Sequence, residues 1–325
     1  MSRNRKILPL IFNAYKPVGP SSSQAVHQFK RNLNYDYGKI GHFGTLDPFA
    51  EGVLLVGVQG AQRLNNFIHE YMPKTYRAVG IFGTKTNSGD HTGEVMESGE
   101  IKDEFQQMSK EEMEDLLKSE FLGEYWQAPH MVSATKYNGR RLYDLARAGK
   151  VVDDIDKKKR EILELKIHDY NYPHLDFEVT VSSGTYIRSL FEEISVLFGG
   201  HGHLLKLQRT KIGTFSMENS IPRESWPTKE GEFDLEKFGV AIDEAFYLNK
   251  VFLNTEQTKT YIYGLTPDMS EIEIQQNLDN PFVYSNELVW VYSDGELLIG
   301  MAKIVEGHLV CVFNLNFYVL GLQTR

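Results

Sequence analysis

The sequence predicts a mixed α/β protein whose last part is a small β-rich unit, and three stretches carry that expectation. LPLIFNAYKPVGPSSS, near the start, reads as a strand running into a Lys-Pro and Gly-Pro turn and then into a helix. LDFEVTVSSGTYIRSLFEEISVLF reads as an alternating strand, a Ser-Ser-Gly turn and a second helix that begins near Tyr186. ELVWVYSDGELLIGMAKIVEGHLVCVFNL breaks into strands at Asp-Gly and Glu-Gly, a hairpin pattern.

The intervening elements follow in order. After the first turn, Ser21, Ser22 or Ser23 is placed to cap a helix that carries Ala25, Val26, Phe29 and Leu33 at helical spacing. VLLVGV is a short apolar strand and TYRAVGIFG a second, rich in β-formers. KEEMEDLLKSEF is an acidic amphipathic helix, and PRESWPTKEGEFD, with two prolines and many charges, reads as a linker. The chain shows no internal repeat or low-complexity segment.

At 325 residues, 41% hydrophobic and 24% charged, the chain can bury a full core in one large domain or in a medium and a small one. No stretch is apolar enough for a membrane helix, and MSRNRKILPLIF lacks the features of a secretory signal, so a cytoplasmic location is expected, with no membrane partner. The single cysteine, Cys311, sits in LVCVF and reads as a buried strand thiol in a reducing compartment. The net charge of −9 argues against a polyanionic partner until its distribution is read. Residues 100–124, 216–244 and 267–287 hold −6, −5 and −5, which leaves +7 for the rest. That basic charge is clustered at Lys136, Arg140, Arg141, Arg147 and Lys150, and again at Lys206, Arg209 and Lys211. Segregation of this kind suits one polyanion-binding face, although solvated faces alone also produce it.

GHFGTLDPFAEGVLLVG, residues 41–57, places Asp47 between glycines and a proline and directly before an apolar strand. An aspartate before proline is commonly a turn former. Against that, Gly41 and Gly44 permit close backbone approach, the flanking residues are small or apolar, and a loop anchored by a core strand is a rigid platform for a reactive group.

GHFGTLDPFAEGVLLV resembles the catalytic segment of the TruB-type tRNA pseudouridine synthases. Further matches occur in the family's order: the Lys-Pro-x-Gly turn at Lys16, KTYRAV around Tyr76, GTKTNSGDHTGEV with Asp90, HMVSATKYNGRRLYDLARAG, SSGTYIRSL with Arg188, and HGHLLKLQRTKIG with Leu207 and Arg209. They span residues 10 to about 213, and their combination is specific where a lone GTLDP would be weak. The resemblance implies the pseudouridine synthase fold, with a central, largely antiparallel sheet flanked by helices and loops over residues 1–246. It also implies a small PUA-like domain over 250–325.

The implied activity is isomerisation of uridine to pseudouridine in the tRNA T loop, position 55. The N1 glycosidic bond breaks, the uracil turns and C5 takes its place. The change involves no net redox step, so no metal and no cofactor are expected. The resemblance assigns the acting carboxylate to Asp47, as nucleophile at C1′ or as the base that leads to a glycal. An apolar pocket would protonate that carboxylate, and Arg188 is the implied cation that keeps it charged. The uridine must be flipped out, with Tyr76 as stacking platform, His42 as the wedge that replaces the base, and Leu207 lining the uracil pocket. Lys16, Asp90 and Arg209 belong to the same set of substrate contacts. The basic stretch of about 130–150, with Lys136, Arg140 and Arg141, resembles an insert that closes over the RNA. The expected partner is the T arm of tRNA, possibly with the acceptor arm, met by a monomer. The chain departs from the family pattern at Phe43, Phe49, Glu51 and Leu55, and Glu51 adds a negative charge near Asp47. His201 and His203 lack the company a metal site needs. A tRNA-folding chaperone, which needs the basic insert and His42 but no Asp47, is the alternative. A guide-RNA enzyme or a glycoside hydrolase fits less well.

Overall fold

The structure, a computed structural model, describes residues 9–31, 33, 38–129, 136–137, 139–148, 155–227, 233–267, 272–276 and 284–315. Its strands run in chain order β1 (Leu10–Lys16), β2 (Gly41–His42), β3 (Glu51–Val58), β4 (Lys74–Thr86), β5 (Val95–Gly99), β6 (Gly123–Gln127), β7 (Lys136–Tyr137), β8 (Arg140–Arg141), β9 (Lys158–Asn171) and β10 (His174–Val181). They continue as β11 (Gly202–Ile212), β12 (Phe215–Ser216), β13 (Gly239–Ala241), β14 (Asn249–Leu253), β15 (Ile274–Gln275), β16 (Leu288–Ser293), β17 (Leu298–Val305) and β18 (His308–Asn314).

The main sheet has 11 strands with the order β13-β1-β3-β11-β4-β10-β9-β6, and β2, β5 and β12 attach to β3, β4 and β11. The expected antiparallel character holds along this path except at β3–β11, which is parallel and pairs Gln208 with Glu51 and Arg209 with Gly52. VLLVGV is apolar throughout because β3 is central, with every residue after Glu51 buried. The join to β11 is close: a Cβ on Gly52, whose φ is +112°, would sit 2.3 Å from the Arg209 carbonyl oxygen. Here glycine is a steric requirement, and it lies five residues past Asp47.

The helices form where local signals place them. Ser21 caps Ser22–Lys30 in a capping box with Gln24, and Ala25, Val26 and Phe29 are buried. Ser109 and Glu112 form the same box on the acidic helix Lys110–Phe121, which buries Met113 and Leu117. Ile187–Leu197 starts after Tyr186 and buries Ile187, Leu190, Phe191 and Ile194 against the sheet.

Strands β14 to β18 form the expected small C-terminal sheet, ordered β15-β14-β16-β17-β18. Leu288, Trp290 and Met301 share one core with Ile11 and Leu55 of the main sheet and Phe43 of the loop after β2, and Trp290 donates its indole N–H to the Phe246 carbonyl at 2.7 Å. Two expectations need adjustment. The stretch read as a linker is anchored at Trp226, which is 2% exposed and packs edge-on against Phe29. Its prolines and charges bracket a core aromatic. Cys311 lies on β18 but is half-buried rather than fully enclosed, and burial raises its pKa. Among the described residues no helix is long and apolar enough to cross a membrane.

Candidate functional site

Asp47 sits on a loop between β2 and β3 whose backbone is held from three directions. Lys16, completely buried at the end of β1, donates from Nζ to the carbonyls of Asp47 at 3.0 Å, Ala50 at 2.7 Å and Pro17 at 3.0 Å. Ser22 brackets Leu46: its hydroxyl donates to the Leu46 carbonyl at 2.9 Å and accepts the Leu46 N–H at 2.8 Å. Arg209, also completely buried, donates to the carbonyls of Val53 at 2.8 Å and of Thr45 and Gly44 at 3.2 Å. The Gly19 N–H adds a bond to the Pro48 carbonyl at 2.8 Å. A loop satisfied at so many carbonyls is preorganised, as a catalytic carboxylate requires.

The side chain of Asp47 faces Arg188. Oδ2 of Asp47 lies 3.0 Å from Nε of Arg188, whose side chain is 3% exposed, while that of Asp47 is 34% exposed. The carboxylate is therefore open on one side and paired on the other. Nη1 of Arg188 also lies 3.7 Å from Oδ2 of Asp90 and donates to the Ser88 carbonyl. Asp90 is buried, and its Oδ1 accepts the N–H of Thr92 at 2.9 Å. Thus one guanidinium spans two carboxylates, and Asp90 is turned toward it.

The neighbouring wall is apolar. Tyr76, Leu207, Leu46, Phe49 and Ala50 belong to one packed cluster. Tyr76 on β4 stands directly opposite Arg209 on β11, and Leu207 opposite Ala78. Phe49 meets His91 edge-on at 5.8 Å between ring centroids. Glu51 is engaged by neutral donors, the Tyr15 hydroxyl at 2.5 Å and Nε2 of Gln208 at 2.6 Å. Burial, then the hydrogen bond from its hydroxyl to Glu51, pushes Tyr15 up to about 12. Burial draws Lys16 down to about 8, against the pull of Asp47 in the other direction.

His42, on β2, is half-buried, and burial followed by the Arg209 charge lowers its pKa. Nearby stands a group that the sequence did not single out. Lys74, 4% exposed, donates to Oγ of Ser183 at 2.8 Å, and the same oxygen lies 2.8 Å from Nδ1 of His69. Burial, then Arg209, takes Lys74 down to about 7. Burial, then Lys74, Arg209 and His42, takes His69 down to about 4. His69 lies in the last turn of a helix and Lys74 starts the strand that follows it, but Ser183 lies in a turn 109 positions after Lys74, so no local pattern joins the three. The Lys in KTYRAV, two positions before Tyr76 and on the same face of β4, was the available signal.

Arg140 lies in the two-residue hairpin β7–β8 and is exposed. Lys136 and Arg141 contribute backbone to that hairpin, but their side chains lie outside the described residues, as do His130 and Lys150. His201 and His203 serve separate neighbours: His201 is 3.4 Å from Glu97, and Nδ1 of His203 is 2.9 Å from the Thr84 carbonyl oxygen.

A family model described as TruB family pseudouridylate synthase, N-terminal domain, matches residues 30–187. A tRNA pseudouridine synthase B of Thermosipho melanesiensis is 35% identical over 261 residues, 80% of this chain and 81% of that one. Its counterpart in Francisella philomiragia is 33% identical over 313 residues, 95% of this chain and 96% of that one. Among solved structures, a Cbf5-Nop10-Gar1 complex contains a chain that superposes with a TM-score of 0.63 at 23% identity, covering 91% of this chain and 78% of that one. The archaeal box H/ACA sRNP Nop10-Cbf5 complex gives 0.63 at 20% identity, covering 94% and 84%. At such identities these two structures speak to the fold alone.

Proposed function

The chain belongs to the TruB family of pseudouridylate synthases, and on that premise we infer that it converts uridine to pseudouridine in the T loop of tRNA, at position 55, with Asp47 as the acting carboxylate. One observation carries the assignment of Asp47: its carboxylate is open to one side, backed at 3.0 Å by a buried guanidinium, and fixed on a loop whose backbone three buried groups hold.

The chemistry follows from that geometry. A target uridine is swung out of its stack at a cost of a few kcal/mol, which is partly offset by stacking on an aromatic ring worth ~1–3 kcal/mol. Tyr76 supplies the ring and Leu207 the apolar floor, while His42, at the loop's entrance, fills the place the base leaves. Asp47 then acts at the ribose, at C1′ or through a sugar proton, and the freed uracil turns and rejoins through C5. The C5 proton leaves and N1 gains one, so atoms and electrons balance with no redox partner. Arg188 pairs with the Asp47 carboxylate before it acts, and Asp90 holds Arg188 from behind. Lys16 and Arg209 act on the loop backbone and so set where Asp47 points. The basic insert of about 130–150, with Lys136, Arg140 and Arg141, closes over the T arm, and residues 250–325 reach toward the acceptor arm of a tRNA bound by one monomer.

Tritium release from a T-arm stem-loop labelled at uridine C5 tests this. Asp47→Asn is expected to fold, bind the RNA and release no tritium. Release at the wild-type rate would remove the assignment of Asp47, and absence of release from the wild-type protein would remove the substrate.

A further inference from the structure

Three buried or half-buried bases, Lys74, His69 and His42, meet Arg209 beneath Gly44, and among the described residues no carboxylate is one of the charges that shift any of the three. That is an unusual way to bury charge. A buried ammonium is normally paired, since its desolvation is costly and its N–H groups seek acceptors. Lys74 has a single hydrogen bond among the described residues, to Oγ of Ser183. Arg209 spends its donors on backbone carbonyls, which carry no compensating charge.

Oγ of Ser183 is shared by two bases: it accepts from Nζ of Lys74 and lies 2.8 Å from Nδ1 of His69. In the tautomer whose Nδ1 accepts the Ser183 proton, His69 carries its own proton on Nε2 as a donor. Gly44, with φ of +87°, lies over the group: a Cβ there would be 3.5 Å from Cε1 of His69, 3.5 Å from Cε of Lys74 and 3.6 Å from Nη1 of Arg209. Three basic side chains thus converge under a backbone position that bears no side chain, three residues from Asp47.

We propose that His69, Lys74 and Ser183, with His42 at the rim and Arg209 behind, form a phosphate site that takes one backbone phosphodiester of the substrate RNA. The proposal rests on the RNA substrate inferred above. The anion supplies the negative charge the chain withholds. It accepts from Lys74 and His69 and locates the RNA backbone relative to the loop of Asp47. It also raises the affinity of Lys74 for its proton. Because the unoccupied Lys74 titrates near 7, with Arg209 and His69 as the charged or titratable groups beside it, binding above that pH takes up a proton.

The test uses the full chain, inorganic phosphate as a bare probe and a T-arm stem-loop as the RNA. Inorganic phosphate is expected to shift the imidazole NMR signals of His69 in the wild type and not in Lys74→Gln. For the RNA, Lys74→Gln is expected to weaken binding about tenfold and to reduce the slope of log K against log salt by about one, whereas Lys74→Arg keeps most of both. A methylphosphonate at the contacted linkage weakens wild-type binding and leaves Lys74→Gln indifferent. An unchanged salt slope, or His69 signals that ignore phosphate, overturns the site; the wild-type titration and Lys74→Arg decide it even where Lys74→Gln fails to fold. Normal tritium release with an unchanged slope removes the phosphate site alone. No release with intact phosphate shifts removes the proposed function alone.

Discussion

The two ends of one short loop handle buried charge in opposite ways. At Asp47, Arg188 lies between two carboxylates, so the chain supplies both signs itself. At Gly44, three residues earlier, Arg209, Lys74, His69 and His42 gather with no acid among the described residues acting on the last three. A charged group that must hold one position and orientation is best served by fixed internal partners of the opposite sign. Charge that awaits a polyanion is left unneutralised, at some expense in stability. The loop joins these halves, and Lys16 and Arg209 tie it down by donating to its carbonyls.

The comparison can be broken most forcefully at Arg188. Arg188→Lys keeps the charge but loses the planar fork, and the rate of pseudouridine formation is expected to drop roughly a hundredfold or more with near-normal RNA affinity. A loss confined to affinity would move Arg188 to the binding side of the contrast. Arg209→Met leaves three carbonyls without their donor and is expected to cost about 2–4 kcal/mol in urea unfolding. It should also raise the pKa values of His69 and His42, since Arg209 lowers both, and imidazole NMR titration reads that sign directly. Gly52→Ala pushes a methyl group into the Arg209 carbonyl and is expected to cost roughly 1–3 kcal/mol, measured the same way. Wild-type stability in place of that loss would show that β3 and β11 can part.

The contrast also shows in pH dependence. Lys74 titrates near 7 in the fold and near 10.5 when unfolded, so below pH 7 the folded protein bears the full cost of a charged buried amine. Between about 7 and 10.5 the unfolded chain holds the extra proton, and this residue's contribution makes stability rise with pH. His69, lowered from 6.5 to about 4, adds a second slope of the same sign: stability falls as pH drops from 6.5 to 4. Lys74→Met is expected to flatten the upper slope in urea titrations and leave the lower one, and an unaltered upper slope would show that Lys74 is not the titrating group.

Local pattern made much of this protein legible. The capping serines, the buried face of Ser22–Lys30, the acidic helix Lys110–Phe121 and the hairpins of the small sheet follow from residue spacing, because caps and amphipathic faces are decided within a few residues. Only the family resemblance links Asp47 with Arg188 in the sequence, and the fold sets them 3.0 Å apart. The stretch around Trp226 reads as a linker because prolines and charges are a local signal, while its contact with Phe29 comes from the other end of the main domain.

Sequence alone therefore determined the secondary elements, the apolar central strand and the identity of a carboxylate worth watching, since each is written in periodicity or in contiguous residues. Only the tertiary structure decided that Ser22, Lys16 and Arg209 hold one loop, that Glu51 is engaged by Tyr15 and Gln208, and that Lys74, His69 and Ser183 meet at all. The reason is physical: hydrogen-bond satisfaction and charge compensation depend on which buried groups face each other, and β3 and β11, which bring Glu51 to Gln208 and Arg209 to the loop, are separated by some 150 residues of chain whose order says nothing about that meeting.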